Sequence, residues 1–192
     1  MNRLNEMVEG LSPIHRREFE INSFSIDENS LIVEGWLRDE RFIDGFHWNG
    51  KSRPKGIVHR LCVRIMVGGW PLKVLEAEAE MFDVPHAMCP SSLESVKKLK
   101  GLFILSGFSE NVRKLIGGVE GCAHVSSLIL AMGPAALHGY WTHKSQKPQP
   151  LPSNAIEFPG IKNLIGSCKL WKEDGPFVTQ LKEAIELANK KK

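Results

Sequence analysis

A chain of 192 residues, 42% hydrophobic and 24% charged, is large enough to bury its own core, and this composition argues against disorder. Its 25 basic and 22 acidic residues leave a formal net charge of only +3, which gives no electrostatic footprint for nucleic acid or anionic lipid. No stretch spans a bilayer: the best, residues 125–137, is too short and holds Ser126, Ser127 and Pro134. The first ten residues lack the apolar core of a secretory signal. The expectation is a soluble, cytoplasmic protein of bacterial type whose four cysteines are free thiols or metal ligands rather than a disulfide framework.

The first half reads as strands. Phe19 and Ile21, then Phe24 and Ile26, alternate with polar neighbours with one slip of phase, which predicts a β-bulge. The Asp27-Glu28-Asn29-Ser30 cluster is a turn, and residues 31–38 supply a second strand with Gly35 as a weak point. Residues 39–56 carry Gly45, Gly50, Pro54 and Gly56 and predict a loop, whose Phe42, Phe46 and Trp48 could fold over one face of the sheet. In the next segment Ile57, His59, Leu61, Val63, Ile65 and Val67 share one face, while Arg60, Cys62 and Arg64 share the other. After Gly68-Gly69 the alternation resumes through Leu75, Ala77, Ala79 and Met81. A three-residue turn would set Val63 against Leu75, Leu61 against Ala77, His59 against Ala79 and Arg60 against Glu78, keeping apolar with apolar.

From residue 90 the period becomes helical. Pro90 and the run Ser91-Ser92-Leu93-Glu94 predict a capped helix closed by Gly101. Ser109 opens a second helix, amphipathic through Val112, Leu115 and Ile116 and stopped by Gly117-Gly118. A third, largely apolar and therefore central, starts near Cys122 and runs toward Tyr140 with a kink expected at Pro134. Prolines 148, 150, 152 and 159 make residues 145–160 an extended connector, and Asp174-Gly175-Pro176 introduces a last helix to about Asn189. Strands first and helices afterwards predict one α+β domain over residues 1–192, an antiparallel sheet packed by helices from the C-terminal half.

Chemistry is expected where cysteines precede helices. Cys89 stands ahead of the first helix, and Cys122 and His124 open the central one, where unpaired amides and the positive dipole end favour a thiolate. His59 lies on the core face of the best strand, where a histidine must be neutral or paired. If helix starts meet the end of the sheet, His59, Cys89, Cys122 and His124 converge as a set suited to zinc or iron, with His86 and Cys168 as reserves. No C-x-x-C, phosphate-binding glycine loop, nucleophile elbow or H-E-x-x-H is present. Cys62 reads as a plain sheet residue, His138 and His143 as surface or capping residues, and His15-Arg16-Arg17 as a solvated strand end that could hold an anion. A metal-binding protein tied to thiol or sulfur chemistry is therefore one expectation. A binding module or homo-oligomer using the aromatic loop and the apolar central helix is a second, and a metal-free enzyme with Cys122 as nucleophile is a third.

Ile14-His15-Arg16-Arg17, the His59 strand, Cys89-Pro90, the run from Gly117 to Val125 around Gly121-Cys122-Ala123-His124, and Cys168 with Asp174-Gly175-Pro176 occur in that order. In this the chain resembles a family of bacterial proteins catalogued as domain of unknown function 2889, over nearly its whole length. The family usually has Thr in place of Ala123 and Asp in place of Arg60. The resemblance implies no activity. The order of sheet, cysteine before a helix, and cysteine–histidine pair at a later helix is also similar to iron–sulfur scaffolds of the NifU/IscU type, whose pair runs His-Cys.

Overall fold

The computed structural model describes residues 2–148, 154 and 164–190. After a short exposed helix α1 (Arg3–Val8) come the strands β1 (His15–Ser25) and β2 (Ser30–Arg41), a small hairpin β3 (Gly45–Phe46) and β4 (Ser52–Arg53), and the long strands β5 (Gly56–Gly68) and β6 (Lys73–Asp83). A 3₁₀ segment (Cys89–Leu99) leads to α2 (Phe108–Ile116), α3 (Ala123–Lys144) and α4 (Pro176–Asn189). The four long strands form an antiparallel sheet in the order β1-β2-β5-β6. This is the expected α+β arrangement of a sheet from the first half packed by helices from the second. Of the connector over residues 145–160, residues 149–153 and 155–160 lie outside the described residues. None of the described helices is long and apolar enough to cross a membrane.

Alternation along the strands creates a dry face and a wet one. Leu31, Val33, Leu37, Leu61, Val63, Ile65 and Val67 point into the core and are buried against Leu128, Ile129 and Met132 of α3. A Cβ on Gly35 would stand only 2.7 Å from Met132 Sδ, so the strand's weak point is a place where the helix settles close on the sheet. The wet face is charged: Arg64 bonds Glu34 at 2.7 Å and Glu80 at 3.2 Å.

Four expectations are corrected. β1 pairs with β2 in unbroken register, so the phase slip is not a bulge; Ser23 takes the inward position opposite Val33, and Phe24 turns out to solvent. The β5–β6 pairing is displaced, with Leu61 opposite Met81, Val63 opposite Ala79 and Arg64 opposite Glu78. The connection takes four residues, 69–72, instead of three, with Leu72 fully buried inside the turn, and a register shift at Met66/Val67 leaves Leu75 partly exposed. The segment after Pro90 is 3₁₀ rather than α-helical. Its serines bond back three residues (Ser91 to Met88 O, Ser92 to Cys89 O, Ser95 to Ser92 O), a spacing that suits the tighter turn. The aromatic loop does not cover the sheet: Phe46 and Trp48 are 76% and 97% exposed. Val125, Leu128, Ile129, Met132 and Ala136 of α3 pack into the core, and Leu130, Leu137 and Trp141 are half-buried beside it.

Candidate functional site

The apolar series Leu31, Val33, Gly35, Leu37 on the inner face of β2 ends in a carboxylate, Asp39. This residue is 2% exposed, and a buried charge is tolerable only when paired and hydrogen-bonded. The pairing is complete. Across the strand, Arg17 donates from Nε to Oδ1 and from Nη2 to Oδ2, both at 2.7 Å. On the other side its β5 neighbour His59 meets Oδ2 through Nδ1 at 3.0 Å. His15 Nε2 lies 3.6 Å from Oδ1. Burial would raise the Asp39 carboxyl, but the Arg17 fork and His59 outweigh it and hold the group below the ordinary carboxylate range.

The contact with a carboxylate fixes the tautomer of His59: Nδ1 carries the proton and Nε2 keeps its lone pair. Burial, followed by the charge of His124, depresses the His59 pKa, so the ring is neutral near neutral pH. His124 comes from the other layer, the first turn of α3, and its ring lies 3.8 Å from the His59 ring, centroid to centroid. Its Nε2 is 3.7 Å from Asp39 Oδ2, within ion-pair distance and beyond a direct hydrogen bond.

Cys122 is the N-cap of α3, and its Sγ is 3.7 Å from His124 Nδ1. Burial pushes this thiol up, but the His124 side chain and the amides of Val125 and His124 reverse the effect and bring it down to about 7. Cys62, wholly buried in β5, shows the opposite: burial pushes its thiol up to about 12 and leaves it inert. A line therefore runs from sulfur to imidazole to buried carboxylate, with Arg17 behind it.

Of the residues expected to converge, the fold brings together His59, Cys122 and His124. Ligand atoms of Asp39, His59 and His124 lie within 4.8 Å of one another, the spacing of a possible metal site. Among the described residues that group includes neither Cys122, whose sulfur faces the other nitrogen of His124, nor Cys89, His86 or Cys168. Cys89 begins the 3₁₀ segment, with its amide bonded to His86 O, and His86 faces a different cleft. Cys168 is exposed ahead of a 3₁₀ turn (Lys169–Trp171). His143 lies 3.4 Å from the Glu28 carbonyl. Arg17 reaches across to Asp39 while keeping part of its side chain in solvent, and with Asp39 it is what sequence reasoning missed. The available signal was phase, since Asp39 continues the inward positions of β2 and an acid in that series demands a partner.

No curated protein and no solved structure matches the chain. Residues 15–138, which contain every member of the cluster, match the model of a family described as "Protein of unknown function (DUF2889)", and the chain belongs to that family.

Proposed function

We propose that the protein is a thiol enzyme in which Cys122 is the nucleophile and His124 its base, with Asp39 and His59 orienting the imidazole. The observation that carries this reading is the 3.7 Å sulfur–Nδ1 pair at the start of a 22-residue helix, backed by a buried carboxylate. A nucleophile, a base within reach and a third group that orients the base form the usual logic of covalent catalysis. In the reaction the sulfur bonds to an electrophilic carbon of the substrate, its proton passes to His124, and His124 returns that proton to the departing group. Mapping of peptides after brief alkylation at neutral pH tests the assignment. Cys122 should be labelled before the more exposed Cys168 and well before Cys62. Faster labelling of Cys168 removes the reading.

A second reading is favoured by the Asp39, His59 and His124 group, whose ligand atoms could hold zinc or iron with two imidazoles and a carboxylate. Arg17 weighs against it, because its fork engages both oxygens of Asp39 and a cation must compete with that charge. Elemental analysis of freshly purified protein decides. About one equivalent of metal, lost in His59→Ala, would place this reading first; less than about a tenth of an equivalent retires it.

A further inference from the structure

Beyond Asp39 and His59 the sheet opens into a cleft of about 350 Å³ lined by two arginines and two histidines. Arg41 from the end of β2, Arg53 from β4, and His47 and His86 from the flanking loops face it, with Trp48 and Ile57 as apolar walls. No carboxylate lines it. The nearest acids along the strands are engaged elsewhere, Glu40 with Arg38 at 2.7 Å and Asp83 with Arg60 at 2.9 Å. Arg41 Nε is buried with no hydrogen-bond partner, and a buried guanidinium donor left unmet is costly unless a ligand supplies the acceptor.

Position ties the cleft to the cluster. Arg41 lies two residues past Asp39 on β2, roughly 7 Å along the strand. On β5, Ile57 lies beyond His59 across a bulge that sets it opposite Glu40. Arg41 also pairs across the sheet with His15, whose ring is 3.6 Å from Asp39. We infer that this cleft binds an oxyanion, carboxylate or phosphate, and seats the acidic end of the molecule on which Cys122 acts. Arg41 and Arg53 supply forked donors, the two imidazoles further donors, and Trp48 a face for a flat ring beside the charge. The link to substrate rests on the thiol reading; the anion binding does not.

Calorimetric titration at low salt with inorganic phosphate and, separately, with benzoate tests this on the whole chain. Saturable binding is expected with a dissociation constant on the order of 1 mM, weakened about tenfold in Arg53→Gln and in Arg41→Gln. Trp48→Ala should weaken benzoate and spare phosphate, which tells an aromatic acid from a bare anion. Arg53 lies on a two-residue strand outside the main sheet, so Arg53→Gln keeps the test sound if Arg41→Gln fails to fold. No saturation by either anion up to about 20 mM, or undiminished affinity in Arg53→Gln, overturns the site. Binding lost in Arg53→Gln alongside an ordinary Cys122 titration upholds the site and removes only its link to the thiol.

Discussion

Alkylation of Cys122 by a neutral reagent should rise with pH through a midpoint of about 7, and His124→Gln should move that midpoint upward. Burial opposes the thiolate, and the largest force acting the other way is the hydrogen bond from His124. Glutamine keeps much of the side-chain bulk but cannot carry charge or accept the thiol proton. The amides at the start of α3 remain, so part of the depression survives. A midpoint about one unit higher lowers the thiolate fraction at pH 7 from about a half to about a tenth, so the rate there should fall about fivefold. The stability dependence has a matching sign. Because the folded thiol titrates below its ordinary 9.0, its favourable contacts are fully present above that value and fade as pH falls through about 7. Cys122→Ser should therefore cost more at pH 9 than at pH 6. A His124→Gln profile that overlays the wild type would detach the histidine from the cysteine.

Asp39→Asn should have the largest structural effect of any single change at the site. The carboxylate receives both arms of Arg17 and the Nδ1–H of His59, and an amide can accept at only one oxygen. Its NH₂ group would face the guanidinium donors. Arg17 is 38% exposed and can find water, so the cost should fall near 2 kcal/mol rather than that of a fully buried orphan charge. For a chain of this size that is a drop of about 4–8 °C in melting temperature. Because the Asp39 carboxyl titrates below its ordinary 3.8, the wild-type advantage is fully present above that value. It should be lost as pH falls through the depressed value. Equal melting temperatures at neutral pH would mean that Asp39 organises nothing.

Much of the fold could be read from periodicity, because period two and period 3.6 reflect burial directly. The inward series of β5 from His59 to Val67, the central helix and the helix after Gly175-Pro176 all lie where their patterns put them, while a bulge turns Ile57 out of the series. Pattern failed where a long-range contact outbid it. Leu72 is buried in the core from within a turn one residue longer than the pattern suggests, and the β5–β6 register moves with that turn. A run of serines that reads as a cap chose three-residue back-bonds instead. At the site, His59, Cys122 and His124 were legible because imidazole on a core face and sulfur at a helix start are both conspicuous. Asp39 was not, since it falls beside Glu40 and Arg41 in a stretch polar enough to resemble the loop that follows. Only the pairing of β1, β2 and β5 reveals that Arg17, Asp39 and His59 form one row across the sheet.

The most direct measurement is the NMR titration of Cys122 carrying ¹³C at Cβ, in the intact chain. A single inflection near pH 7, displaced upward in His124→Gln, is the result expected of a sulfur that shares its proton with the imidazole. An inflection at the ordinary thiol value, indifferent to the histidine, would show that sulfur and ring are neighbours without chemistry between them.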